Sequence, residues 1–463
     1  MKVNYNSYTI NAIMESGRRG LDQARLRMSV TGNNINNVNT EGYSRQGVVT
    51  EATTVMQSSN TTYEMSLISS TIRRMRDSFH YQQIIEENPS LGRWEEEHHQ
   101  LELIEKIMNE PNDGAISNAM DTFFNSWEDL SQDLENQASR TLVRDSGDRL
   151  AKQFNIVGTQ LSQTKESLNK QIQDEVFEIN LLINEIADVN KQITKSQMNT
   201  SEFSTLLDRR DKAVSDLSKK MDIKITEKEN GDMLIFSNGI VVVEGIDRNQ
   251  IYTRTDSESN SQLFWDREDN EVQINNGKLK ALLNTRDETI PQLEEELNNL
   301  VKAIVENVNS IHKESYNLEG NKGYNFFDSS GLDIYTMSLD KNIEESVSYI
   351  SVSRNQGSHG NSDGAILMSA LANERLMDNS TQTFKEYYLG TILTLGNLVN
   401  EAERLESVET DFVTFLENKK NEVSQVDADE ELSNMIIYQQ SYGAAAKLLS
   451  KANEMMTVLL SIV

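Results

Sequence analysis

The sequence predicts a mainly α-helical fold, an elongated multi-layer helical rod with paired terminal coiled-coil helices and a small antiparallel β insert at the tip. Three observations predict it. Ile10, Met14, Gly17, Leu21, Ala24, Met28, Thr31, Ile35 and Val38 step by alternating fours and threes, as do Met435, Tyr438, Tyr442, Ala445, Leu449, Ala452, Met456, Leu459 and Val463. That is the period of a coiled-coil seam, in which each apolar knob needs a hole on a facing helix. A further heptad-like run fills Ala138 to Met198, and the period falls to two only between 222 and 275.

Composition narrows the classes. Lys+Arg is 44 and Asp+Glu is 73, a net charge of −29, so nucleic acid and anionic membrane surfaces are repelled and neither is expected as a partner. The chain has no cysteine, which removes disulfides, thiolate metal sites and cysteine nucleophiles. Only Pro89, Pro111 and Pro291 occur, as long helices require. The opening MKVNYNSYTINAIMES lacks the basic and apolar regions of a secretory signal, and no apolar run reaches the roughly 18 residues of a membrane span.

In chain order, the first helix is expected from about Tyr8 to about Asn37, ending in the Asn/Gly-rich turn Asn39 to Gly42. Thr50 to Thr62, rich in Ser and Thr, reads as an extended connector, and helix is expected again from about Met65, punctuated at Pro89 and Pro111. Leu150, Phe154, Val157, Leu161, Leu168, Ile172 and their successors predict one helix of some sixty residues, roughly 90 Å long. A shorter helix holds LLDRRDKAVSDLSKKM. From Asp222 the pattern alternates, with Asn230-Gly231 and Asn238-Gly239 as hairpin turns. Leu279 to Ile311 returns to helix; 316 to 364 is Gly/Asn/Ser-rich with strand-like DIYTM and SYISVS; helix resumes near Asp363 and breaks near Asp427 to Asp429. The expected domains are 1–45 with 428–463 as inner terminal helices and 46–221 with 276–320 and 363–427 as a long-helix bundle. Residues 222–275 form a β-rich outer module, and 321–362 an irregular, strand-containing segment next to it.

Four segments resemble one family. NNINNVNTEGYSRQ (Asn33 to Gln46) is similar to the signature after the first helix of rod, hook and hook-associated proteins. LLDRRDKAVSDLS (Leu206 to Ser218), then strands with Asn-Gly turns, and GKLKALLNTRDETIPQLEEELNNLVKAIVENVNSIH with YNLEGNKGYNFF, look like the exit from and return to a helical domain. DEELSNMIIYQQSYGAAAKLLSKANEMMTVLLSIV resembles a common C-terminal axial helix. Together they resemble the flagellar hook-associated protein 1 family, bacterial proteins that join hook to filament. The resemblance implies an extracellular structural subunit exported through the flagellar type III apparatus. It also implies a homo-oligomeric ring, hook protein on one side and the second junction protein on the other, and an export chaperone on the C-terminal helix. No cofactor is implied. The chain departs from the pattern in its short insert, which leaves no room for a large additional outer domain, and in the composition of GSHGNSDG (Gly357 to Gly364).

The candidate assembly residues follow. On the terminal seams they are Leu21, Ala24, Met28, Ile35, Tyr438, Tyr442, Ala445, Leu449, Ala452, Met456 and Leu459. Gly17, Ala24 and Thr31 bury little, so one partner helix gains too little at about 25 cal/mol per Å² to offset ordering, and neighbouring subunits must supply the rest. Leu448, Met455 and Ile462 form a second stripe for such a neighbour, and Gln439 and Gln440 offer inter-subunit hydrogen bonds or are simply exposed. Asn33, Asn34, Asn37 and Asn39, with Gly42, Tyr43 and Arg45, fit either a helix cap or amide bonding across a joint between subunits. Asp208, Arg209, Arg210 and Asp211 fit a solvated face or a paired cluster bracing the base of the β module.

An enzyme is not expected. His98 and Glu102 share a helical face beside Glu95, Glu96, Glu97 and His99, but the HExxH pattern is missing; His80, His312 and His359 are isolated, and no GxSxG, Walker loop or dinucleotide fingerprint is present. The alternatives are another axial subunit (second junction protein or hook/rod type), a non-flagellar coiled-coil scaffold, and a metal-dependent hydrolase built on the His98 region.

Overall fold

The computed structural model describes residues 3–55, 65–108, 116–228, 232–257, 259–356 and 360–462. Pro111, the Asn230-Gly231 turn, His359, Val463, the side chain of Ile462 and the middle of the 50–62 connector lie outside the described residues.

The chain opens with α1 (Val3–Asn36), then strands β1 (Gln46–Val55) and β2 (Met65–Arg74), paired antiparallel with Gln46 opposite Arg74. This ribbon corrects two expectations, since helix resumes at Ser78 and not Met65, and the connector is a strand where it is described. β-Branched Val48, Val49, Thr50, Thr71 and Ile72 favour the extended chain although few of the positions are strongly apolar. α2 (Ser78–Met108) runs through Pro89 without a break; the neighbouring Asn88 amide is anchored on Ser215 and Ser218. α3 (Ile116–Gln132) and α4 (Gln137–Lys195, 59 residues) follow, and α4 is the long helix that its heptads predict.

α5 (Ser201–Lys220) folds back along α4, with Arg209 paired to Glu185 and Lys220 to Glu175. β3 (Lys224–Glu227), β4 (Met233–Ser237), β5 (Ile240–Glu244) and β6 (Asp247–Arg248) form one antiparallel sheet in chain order. β7 (Ile251–Thr255) and β8 (Ser261–Trp265) form a second ribbon. Asn238 and Gly239, at φ 46° and 84°, make the left-handed turn expected of them.

The β insert is not at the tip. Its bonds run down the flank of α4, from Asn190 with Gly245, through Asn180 with Ile251, to Asn169 with Ser261. The reason is α5, which carries the chain back along α4 for about 30 Å before the strands begin.

α6 (Lys278–Asn284), a π turn at Thr285–Thr289 and α7 (Ile290–Glu314) return to helix. DIYTM and SYISVS are not strands: 321–362 contains isolated bridges, a short α8 (Lys341–Glu345) and a 3-10 turn at Val347–Tyr349. This segment packs on the bundle, away from the sheets, through Arg140 to the Ile350 carbonyl, Asn155 to Ile334 and Asn309 to Phe327. Phe123, Trp127, Phe326 and Phe327 meet there with ring centroids 4.9 to 6.3 Å apart. α9 (Asp363–Ala370) is followed by turns with left-handed Asp378, Asn379 and Ser380, an interruption that the pattern does not announce. α10 (Phe384–Ser424), started by a Thr383/Glu386 capping box, runs antiparallel to α2 and ends where α11 (Ala428–Ile462) begins. The core joins α2, α3, α4, α5, the sheets, α7 and α10, and contains no described residue of α1 or α11.

Candidate functional site

α1 and α11 pair antiparallel and project from the body. Gly17 lies against Leu449, where a Cβ would come within 3.3 Å, Gly20 against Ala445 at 3.3 Å, and Gly32 against Met435 at 3.8 Å. The Arg27 guanidinium lies 5.6 Å from the Tyr438 ring centre. Small residues let the axes approach closely, and they leave little apolar area to hide. Ala24 and Ala452 are buried; Leu21, Met28, Ile35, Met435, Tyr438, Ala445, Leu449, Met456 and Leu459 are half-buried. Tyr442, expected on the seam, is 42% exposed, and Gln439 and Gln440 point outward with it. They share the outside of α11 with Leu432, Ile436, Ile437, Leu448, Met455, Val458 and Leu460, all between 44% and 69% exposed.

The Asn/Gly motif closes the joint between this pair and the body. Asn34 is buried and bonds the backbone of Gln46 twice, donating Nδ2 to its carbonyl at 2.9 Å and accepting its N–H at 3.0 Å. The Tyr43 hydroxyl donates to Asn34 Oδ1 at 2.8 Å; Asn33 Nδ2 donates to Tyr43 and, at 2.9 Å, to Ser201 of α5. Burial, with Asp208 and Glu431 nearby, pushes the Tyr43 hydroxyl well above its ordinary pKa. Asn37 bonds back to Asn33, while Asn39 is exposed. Gly42 takes φ +77°, which a side chain would strain. The amides of Asn33, Asn34 and Asn37 are therefore used within one chain, as cap and joint.

Arg45 fastens α11 to the joint, with Nε 2.8 Å from buried Glu431 and a terminal nitrogen 2.6 Å from Glu430, while its backbone N–H bonds Ser424 at the end of α10. Behind it lies the charge cluster. Arg74 bridges Asp208 and Asp211 at 2.9 Å each; Arg76 reaches Asp211 and Glu227, and buried Arg210 pairs with Glu227 of β3 at 2.8 Å. Asp208 also accepts the Ser44 N–H, and burial outweighs Arg74 in setting its carboxyl above the usual value. Of the four predicted members, Asp208, Arg210 and Asp211 meet, whereas Arg209 faces out toward Glu185. The partners Arg74, Glu430, Glu431 and Ser201 carry no local signal, because each comes from a distant stretch of chain, whereas Glu227 lies only 17 residues beyond Arg210.

His98 is held by Glu406 at 2.5 Å and lies 3.7 Å from Glu102. Among the described residues no group of three His, Cys, Asp or Glu is placed to hold a metal, and no helix is long and apolar enough to cross a membrane.

Residues 101–327 match the family described as flagellar hook-associated protein FlgK helical domain, 418–462 match flagellar basal body rod FlgEFG protein C-terminal, and 14–43 match flagella basal body rod protein. Flagellar hook-associated protein 1 of Bacillus subtilis is 25% identical over 96% of both chains. Its counterpart in Salmonella typhimurium is 23% identical over 98% of this chain and all of its own. That alignment runs over 563 positions against 463 residues here, so the relative is the longer protein. The structure of the flagellar hook junction protein FlgK from Burkholderia pseudomallei superposes with a TM-score of 0.66 at 14% identity, over 74% of this chain and 100% of that one, a likeness of fold.

Proposed function

This chain belongs to the flagellar hook-associated protein 1 family, and from that premise we propose that it builds the hook–filament junction by packing its terminal helices against further copies of itself. The single observation that carries this reading is the outside of α11, whose exposed Leu432, Ile436, Leu448, Met455 and Val458 have no cover among the described residues. A small-residue seam orders such a helix weakly, and a neighbour that hides these side chains supplies the missing stabilisation.

In this reading, 1–45 and 428–463 form the inner wall of a hollow axis. Residues 46–221, 276–320 and 363–427 form the next layer with 321–362 packed on it, and 222–275 faces outward. The family premise supports hook protein and the second junction protein as the two axial neighbours, and export through the flagellar type III apparatus to a site outside the cell. The apolar outside of α11 suits a chaperone that covers it before export, since a helix without its assembly partner otherwise aggregates. The relatives are structural flagellar proteins, and the function is mechanical rather than catalytic.

The test is Leu448→Asp with Met455→Asp in the full chain. The monomer should keep its thermal transition, because both side chains are already exposed, while polymerisation followed by sedimentation and electron microscopy is lost. Polymers forming as readily as in wild type overturn the reading.

A further inference from the structure

The N-terminal segment opposes the charge of everything after it. Residues 1–45 hold six Lys/Arg and three Asp/Glu, a net of +3, so the other 418 residues carry −32 of the total −29. Within α1, Arg18 and Arg25 stand seven residues apart on one helical face beside the seam residues Gly17 and Ala24, and both are exposed. Arg18 meets only Glu15 of its own helix, and Arg25 has no ion pair among the described residues. Two arginines on one exposed face of a basic helix suit a partner that presents carboxylate and apolar surface together, because the guanidinium pairs and stacks while its stem covers hydrocarbon.

The lower half of α10 presents such a surface. Val408, Asp411, Phe412 and Phe415 lie at i, i+3, i+4 and i+7, one helical face. Val408 is 52%, Phe412 41% and Phe415 52% exposed, and Asp411 is exposed with no cation partner among the described residues. Within one chain the two faces do not meet, since α10 reaches the joint from the body and α1 leaves it on the other side with α11.

We propose that the Arg18/Arg25 face of α1 docks on the Val408–Phe415 face of α10 in a second copy of this chain. The geometry sets a stagger. Arg25 lies about 14 Å beyond the joint and Asp411 to Phe415 about 14–20 Å before it, at 1.5 Å per helical residue, so successive copies are displaced along the axis by about 30 Å. Such a head-to-tail contact builds a staircase rather than a flat two-fold pair. This rests on the self-assembly reading and adds a second contact, electrostatic and on the body, to the apolar one on α11.

The experiment uses the full chain, in which any introduced cysteine is the sole thiol of its copy. Arg25→Cys and Asp411→Cys copies are mixed and oxidised beside a control mixture of Arg25→Cys with Lys152→Cys, whose site is exposed on α4. In parallel, sedimentation velocity compares wild type, Arg18→Glu/Arg25→Glu, Asp411→Lys and an equimolar mixture of the last two at low and high salt. The docking predicts that the disulfide-linked heterodimer of the Arg25→Cys and Asp411→Cys copies exceeds the control several-fold. It also predicts at least tenfold weaker association between about 50 and 500 mM salt, loss in each charge variant and recovery in their mixture. Association that ignores salt and both charge variants, with no heterodimer above control, overturns the docking and leaves assembly through α11 standing. No association under any condition overturns both.

Discussion

Arg74→Met is the most informative single change at the joint. The guanidinium is 7% exposed and sits 2.9 Å from both Asp208 and Asp211, whose side chains are 6% and 12% exposed. Methionine keeps the stem and removes the charge. Asp211 retains Arg76 at 3.2 Å, but Asp208 is left with the Ser44 N–H and no cation. Breaking a buried pair in this way costs about 3–5 kcal/mol. Protonation sets a ceiling, because the carboxyl can bind a proton rather than stay charged. At pH 7 that costs about 4 kcal/mol, from 1.36 kcal/mol per unit above the ordinary aspartate value of about 3.9, and at pH 5 about 1.5 kcal/mol. Urea unfolding of variant and wild type should therefore differ by about 3–4 kcal/mol at pH 7 and by about half of that or less at pH 5. Arg74→Met with Asp208→Asn should recover part of the loss. A deficit under about 1 kcal/mol at pH 7, or one that does not shrink on acidification, refutes the account of Arg74 as the counter-charge that holds α5 to β2.

Other perturbations read other parts of the fold. His312 is fully buried, its Nδ1–H donating to the Tyr324 carbonyl and its Nε2 accepting the Ser351 N–H, and burial lowers its pKa from 6.5 to about 4. The unfolded chain alone binds that proton between these values. Its contribution is complete above pH 6.5 and falls by about 3 kcal/mol on acidification to pH 4, a slope that His312→Gln removes in a pH series of melts. At Gly92 a Cβ would stand 2.1 Å from the Lys219 carbonyl, so Gly92→Ala must part α2 from α5, and a loss of about 1–3 kcal/mol in urea unfolding is expected. Deleting 1–42 and 430–463 should leave a monomeric, cooperatively melting body, because among the described residues the core draws nothing from α1 or α11.

Legibility followed the range of the interaction. α4, α5, α7 and the terminal seams were readable because apolar spacing along a helix is a local signal, and the Asn238-Gly239 turn because its two residues alone permit the left-handed backbone. The β1–β2 ribbon escaped because its strands are rich in Thr and Ser and alternate weakly. The 321–362 segment misled in the opposite way: Ile334, Ile350 and Val352 look like strand residues, yet they are buried side chains in a stretch whose described pairing is limited to isolated bridges such as Phe327 with Leu339. The joint was half visible. Its amides and DRRD were conspicuous, but an amide's residue type does not say which group it will bond, and which arginine answers Asp208 depends on a contact made across 134 residues. The displaced β insert has the same origin, since nothing local in α5 says that it doubles back.

The contrast between α4 and α11 gives the joint its meaning. Both carry heptad-like apolar spacing. In α4 the chain supplies the facing surfaces, and Leu150, Phe154, Leu161, Leu168, Ile172, Ile179, Ile183 and Ile186 are fully buried. Among the described side chains of α11 the same kind of spacing buries only Ala452 and, at the joint, Glu431. Full burial of a Leu, Ile or Met side chain stabilises by about 1.5–3 kcal/mol, so half-exposed Leu432, Ile436, Ile437, Leu448, Met455, Val458 and Leu460 leave on the order of 5–10 kcal/mol to be gained by contact. That reserve exceeds what the alanine and glycine seam on α1 can supply. A partner able to claim it must arrive from outside the chain and from a fixed direction, and Arg45 and Asn34 set that direction by binding the start of α11 and the end of α1 to a ribbon that Arg74 in turn holds to α5.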